Sequence, residues 1–106
     1  MEEEIPPDLL LEASVELESY RLFGKSNGTQ DALEKTKEYM KRIASGEAPR
    51  NSKRWAIALE NVYRLPQTPQ SLQELASRLE QICSSPLQNA SELKRASDFF
   101  RYIGAN

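Results

Sequence analysis

Leu72, Leu75, Ala76, Leu79, Ile82 and Cys83 recur at spacings of three and four between two stops, Thr68-Pro69 ahead of them and Ser84-Ser85-Pro86 behind. Apolar residues at that period line one face of an α-helix, and nowhere does the chain alternate apolar with polar over a useful length, as a half-buried strand would. Thr68 is suited to cap the helix, and Pro69 at its first position loses no hydrogen bond, because that N–H has no intrahelical partner in any case.

The same punctuation divides the rest of the chain. Pro6-Pro7 suits a helix start, and Leu9, Leu10, Ala13, Leu17, Tyr20 and Phe23 predict a helix from about Pro7 to Phe23, with Gly24 as its C′ residue and Lys25-Ser26-Asn27-Gly28 as a turn. Thr29 is expected to cap a second helix with Leu33, Thr36, Met40, Ile43 and Ala44 inward and Gly46 at its close. A third begins after Ser52 as N-cap, turns Trp55, Ala58, Leu59, Val62 and Leu65 to one face, leaves Ile57 among Lys53, Glu60 and Arg64, and stops at Pro66. For the fifth, Asn89 and Glu92 resemble a capping box ahead of Leu93, Ala96, Phe100 and Ile103, with Gly104 just beyond. The expected fold is all-α, a compact bundle of about five short helices in one domain over residues 1–106, with 1–6 as a flexible acidic N-terminus.

A chain of 106 residues can bury roughly 60 to 70% of its unfolded surface, enough for one core. No apolar run approaches the ~18 residues that span a bilayer. Met1-Glu2-Glu3-Glu4 is acidic where a secretory leader is basic, so a cytoplasmic setting is expected. The single cysteine, Cys83, has no internal disulfide partner, and with no histidine in the chain it has no Cys/His catalytic partner or zinc cluster. It continues an apolar stripe, which favours an inert buried thiol. No phosphate-binding glycine loop, nucleophile elbow or metal-ligand spacing occurs, and no enzyme, cofactor or metal site is expected.

The net charge of −2 conceals a separation: residues 1–23 hold seven acids and one base, residues 24–106 nine acids and thirteen bases. Lys41, Arg42, Arg50, Lys53 and Arg54 are five bases against the single acid Glu47 in fourteen residues. Lys53 and Arg54 fall in the first turn of the third helix, where exposed N–H groups and the helix dipole disfavour cations by a few tenths to ~1 kcal/mol. An anion would relieve that conflict, and a phosphate backbone suits it. A solvated basic loop accounts for the same residues equally well, and Lys41 and Arg42 are also favourable at a helix C-terminus on structural grounds alone. Glu12 and Glu16, four apart on the acidic first helix, read as a solvated face. Lys35, Tyr39 and Arg42, and likewise Arg95, Phe99 and Tyr102, interleave bases and aromatics that can stack on nucleobases, or can be core edges or a protein interface, with core favoured for Phe99.

A short all-helical chain with the basic stretch Pro49-Arg50-Asn51-Ser52-Lys53-Arg54-Trp55 resembles the helical small subunits of CRISPR (Cascade-type) effector complexes, which are antiviral assemblies. The resemblance implies a non-catalytic subunit, present in several copies side by side, that touches nucleic-acid phosphates through Lys41, Arg42, Arg50, Lys53 and Arg54 without reading sequence. It also implies protein neighbours, for which Glu12, Glu16, Ile57 and Arg64 are the candidate contacts. The acidic first helix departs from that family's basic faces. The competing expectation is a protein-only adaptor or regulatory module with no nucleic-acid contact.

Overall fold

The computed structural model describes residues 5–105, and within them the expected all-α bundle of five helices is present. Helix α1 spans Pro7–Phe23, α2 Gln30–Ala44, α3 Ser52–Ala58, α4 Pro69–Ser84 and α5 Leu93–Gly104. α3 runs without a break into a π turn, Leu59–Tyr63, and a 3₁₀ helix, Pro86–Glu92, leads into α5. α1 packs chiefly on α5 and α2 chiefly on α4, so the first and last helices close the bundle while α3 lies against α5.

The punctuation works largely as its chemistry dictates. Gly24 takes the left-handed conformation after α1, and its N–H donates to the Tyr20 carbonyl. Thr68 accepts from the Ser71 N–H at 3.1 Å, the side-chain cap expected for α4. Three starts differ from expectation. Thr29 stands at the N-cap of α2, but its side chain makes no cap hydrogen bond. Asn51, not Ser52, occupies the N-cap of α3, and its side chain accepts from Trp55 Nε1 at 2.8 Å. Asn89 and Glu92 form no capping box, since Asn89 Nδ2 donates to the Ser85 carbonyl and Glu92 pairs with Arg78.

The inward stripes of α2, α4 and α5 are buried as the periodicity predicts except at Ala44 and Leu72, which are half-buried, and Trp55 and Ala58 of α3 and Leu59 of the π turn are at most 1% exposed. Phe99 is fully buried, and the rings of Trp55, Tyr63 and Phe100 each meet it edge to face, with centroids 5.6, 5.6 and 6.2 Å away. Tyr63 owes its place to the π turn. The wider turn sets the helical wheel back, returning Tyr63 to the face of Trp55 and leaving Val62 and Leu65 half-buried. Two other expectations fail on burial. Phe23, assigned to the α1 stripe, is 70% exposed, whereas Ile5, assigned to a flexible terminus, is 2% exposed beside Tyr39, Ile43 and Pro49. Residues 1–4 of that terminus lie outside the described residues.

Gly104 is the last residue of α5 and not a cap beyond it. A Cβ there would lie 3.0 Å from the Pro7 carbonyl oxygen and 3.1 Å from Leu10 Cβ, so the glycine allows α5 to close on the start of α1. Further along the same contact, Ser97 Oγ donates to the Ser14 carbonyl at 3.0 Å. Alanine is the better helix former by about 1 kcal/mol, but overpacking against backbone costs about 1 to 3 kcal/mol. We expect Gly104→Ala to lower stability in urea melts. An unchanged or raised midpoint would show that the two helix ends separate freely.

Burial pushes the Cys83 thiol up to about 12, with smaller effects from Lys37 and Glu34, and pushes the Tyr63 phenol up as well. Each group is held neutral in the fold and ionises more readily once unfolded. Stability is therefore complete below the unfolded thiol value of about 8.5 and is lost as pH rises toward the folded values, by up to about 1.4 kcal/mol per pH unit for each group. Replacing Cys83 with Ala should flatten the first part of that alkaline loss, measured as the urea midpoint between about pH 8.5 and 10.

Candidate nucleic-acid interface

The basic residues of the α2–α3 connection do not share one environment. Lys41, in the last turn of α2, is exposed, as are Arg50 and Lys53, while Arg54 is half-buried. Arg42 is engaged: its Nε donates to Glu47 at 3.0 Å and its guanidinium lies 5.6 Å from the centre of the Tyr39 ring. That contact neutralises the one acid of the segment. None of Lys41, Arg50, Lys53 and Arg54 is in an ion pair with a described residue.

At the start of α3 the electrostatic conflict expected from the sequence is present. No acid lies in its first turn and no side chain caps it, because Asn51 turns its carbonyl oxygen to the Trp55 indole. Trp55 is thereby satisfied and buried, and Lys53 and Arg54 follow from its position: anchoring the indole against Phe99 fixes which residues precede it at the helix mouth. Of the interleaved faces, Phe99 is core and cannot stack on a base; Tyr102 is half-buried and accepts from Asn61 Nδ2 at 2.9 Å. Tyr39 is half-buried beneath Arg42, and Lys35 is exposed.

The candidate protein contacts divide in the same way. Glu12 is exposed, Ile57 is 44% exposed and Arg64 is exposed, all open to a neighbour. Glu16 is not on a solvated face, since it is 0% exposed. Its carboxylate accepts from Ser26 Oγ, from the Asn27 N–H at 2.6 Å and from Thr29 Oγ1 at 3.2 Å, which draws the α1–α2 loop onto α1 and occupies the hydroxyl expected to cap α2. Glu18 is also spoken for: the Arg21 guanidinium at 2.7 Å holds its carboxyl below the usual carboxylate range. Among the described acids of α1, Asp8 and Glu12 alone are without such partners. The outer face of α1 instead exposes Val15, Leu22 and Phe23.

A second cluster has no counterpart in the sequence reading. Arg64, Arg78, Lys94 and Arg95 line an open groove of about 650 Å³ with Asn61, Ser91, Glu92 and Asp98, over Tyr63. Arg78 and Arg95 lie 5.7 and 5.8 Å from the centre of the Tyr63 ring. Arg64 follows the π turn at φ 59°, the left-handed position that normally takes glycine, where its N–H donates to the Glu60 carbonyl and that of Leu65 to the Leu59 carbonyl. An L side chain in that conformation costs roughly 1 to 2 kcal/mol. The bases come from three parts of the chain, Arg64 after the π turn, Arg78 on α4 and Lys94 and Arg95 on α5.

Among the described residues, no group of acids, cysteine or histidine is placed to hold a metal ion, and no helix is long and apolar enough to cross a membrane. Comparison of the chain with protein-family models, with curated proteins and with solved structures gives no match.

Glu16 and Glu12 offer a direct contrast. Glu16→Gln puts amide hydrogens among donors that need an acceptor and should cost about 2 to 4 kcal/mol, whereas Glu12→Gln, on the surface, should stay within about 0.5 kcal/mol. Equal urea midpoints for the two variants would show that the loop does not depend on the buried carboxylate.

Proposed function

We propose that the protein is a non-catalytic helical subunit of a larger nucleoprotein assembly and that it contacts phosphates through the α2–α3 basic segment without reading sequence. One observation carries this reading: the mouth of α3 has no side-chain cap and no first-turn acid, yet holds Lys53 and Arg54, with Arg50 and Lys41 also free of carboxylate partners among the described residues. A chain that needed only a stable helix would place Asp or Glu there. Local rules tend to be broken where function requires it. Arg42 is a positioning residue in this scheme, holding Glu47 away from the phosphate path and covering Tyr39.

From the sequence resemblance, we propose that this assembly is a CRISPR effector complex, with the protein as its small subunit in several copies. Neighbouring subunits would meet the outer face of α1, where Val15 at 50%, Leu22 at 58% and Phe23 at 70% exposure leave apolar surface beside Glu12. That same face favours the second reading, a protein-only adaptor, if phosphate binding is absent.

Lys53→Gln with Arg54→Gln decides between them. The double variant should be as stable as the parent or more so, by at most ~1 kcal/mol per charge removed. Its affinity for DNA and RNA should fall about equally for all sequences, and its slope of log affinity against log salt should shrink by about one to two units. Unchanged binding and slope would remove the α2–α3 segment as the phosphate contact, and no binding by the parent protein would leave the adaptor reading.

A further inference from the structure

The groove over Tyr63 is electrically unbalanced. Four bases and two acids line it, and each acid already has a base: Glu92 pairs with Arg78, and Asp98 lies 3.2 Å from Lys94. Arg64 and Arg95 remain, both exposed and neither in an ion pair with a described residue. Arg95 is held from behind, its guanidinium against the Tyr63 ring, so its position is set before any ligand arrives. Arg64 stands in a backbone conformation that glycine would occupy without strain, and the bend there needs no side chain. Its guanidinium must therefore supply something that glycine cannot.

We infer that this groove is a second anion site, in which Arg64 and Arg95 together grip a phosphate group. Two planar guanidinium forks match the oxygens of a phosphate, and two excess positive charges balance a phosphate dianion or two successive diester phosphates. A single carboxylate would leave one of them uncompensated. Arg78 is a positioning residue: it also lies against Tyr63 and keeps Glu92 occupied. With Asn61 and Ser91 as further hydrogen-bonding groups and Val62 as the one aliphatic lining residue, the groove is chemically suited to a phosphate and its sugar and not to an apolar ligand. The phosphate can belong to a nucleic-acid strand or to a free phosphorylated small molecule. The site lies apart from the α2–α3 segment and does not depend on the reading of that segment.

Calorimetric titration of the full chain with inorganic pyrophosphate and with a mixed-sequence single-stranded oligonucleotide tests the inference, using Arg64→Gly, Arg95→Gln and the Lys53→Gln/Arg54→Gln pair. Removing either groove arginine should weaken binding about tenfold, the loss of one charge-assisted contact. Arg64→Gly should melt no lower than the parent, which separates lost binding from lost folding. Weakening of the oligonucleotide by the groove variants identifies a strand as the ligand; weakening of pyrophosphate alone identifies a free phosphorylated molecule. Either supports the site. If the groove variants bind both probes as the parent does, or if the parent binds neither, the inference is overturned. Loss of oligonucleotide binding in the Lys53/Arg54 variant alone, with pyrophosphate bound by the groove variants as by the parent, would overturn it too, while sustaining the function proposed for the α2–α3 segment.

Discussion

Phe99 is the contact on which the arrangement turns. Its ring receives Trp55 from α3, Tyr63 from the π turn and Phe100 from its own helix, all edge to face at centroid distances between 5.6 and 6.2 Å. Such pairs add about 0.5 to 1.5 kcal/mol each beyond the area they bury. The consequence is positional as well as energetic. Trp55 fixes the mouth of α3, with Lys53 and Arg54 at its rim, and Tyr63 fixes the floor on which Arg78 and Arg95 rest. Both cationic surfaces are thus aligned by one aromatic cluster from opposite ends of the same helical segment.

A π turn is the geometric means. A regular helix through residue 63 would have kept Val62 and Leu65 on the apolar face and sent Tyr63 toward its edge. With the wider turn, Tyr63 reaches Phe99, and the chain then needs a sharp reversal, which Arg64 supplies at positive φ before Pro66. Wide turns inside helices are frequent at functional sites because they expose or redirect side chains that a regular helix would not. Here the redirection buries a tyrosine and raises an arginine beside it.

How much of this was legible follows from which rules are local. Stop signals and apolar periodicity depend on neighbours a few residues away, so α1, α4 and the stripes of α2 and α5 could be read directly, and the caps Gly24 and Thr68 with them. Glu16 could not. Its i,i+4 spacing from Glu12 is what a solvated face shows, and only the return of the loop at Ser26, Asn27 and Thr29 makes it internal. Asn51 was obscured by competition, since its oxygen can cap α3 or accept from the Trp55 indole and does the latter. The groove was hidden for a third reason. Arg64, Arg78 and Arg95 are separated by fourteen and seventeen positions and converge only through the packing of three separate parts of the chain, with Arg64 placed by the reversal after the π turn. One local signal was present: an arginine directly before Leu65-Pro66, where a left-handed reversal usually carries glycine.

The net charge of −2 would ordinarily argue against a phosphate ligand, but it is a sum over the whole chain, in which several acids are internal or compensated locally by a neighbouring base. Glu16 is internal, Glu18 is paired with Arg21, Glu34 with Lys37, Glu47 with Arg42, Glu92 with Arg78 and Asp98 with Lys94. At physiological ionic strength the screening length is about 8 Å, so a phosphate at the mouth of α3 senses chiefly its immediate surroundings. Between Glu47 and Glu60 the chain carries Arg50, Lys53 and Arg54 and no acid. What decides binding there is this local excess and not the total, and the remaining acids, Asp8 and Glu12 among them, set a weaker, longer-range repulsion that grows as salt is removed. Phosphate contact by such a surface is therefore compatible with an acidic chain, and it favours short-range docking within an assembly over the long-range capture that a uniformly basic protein achieves.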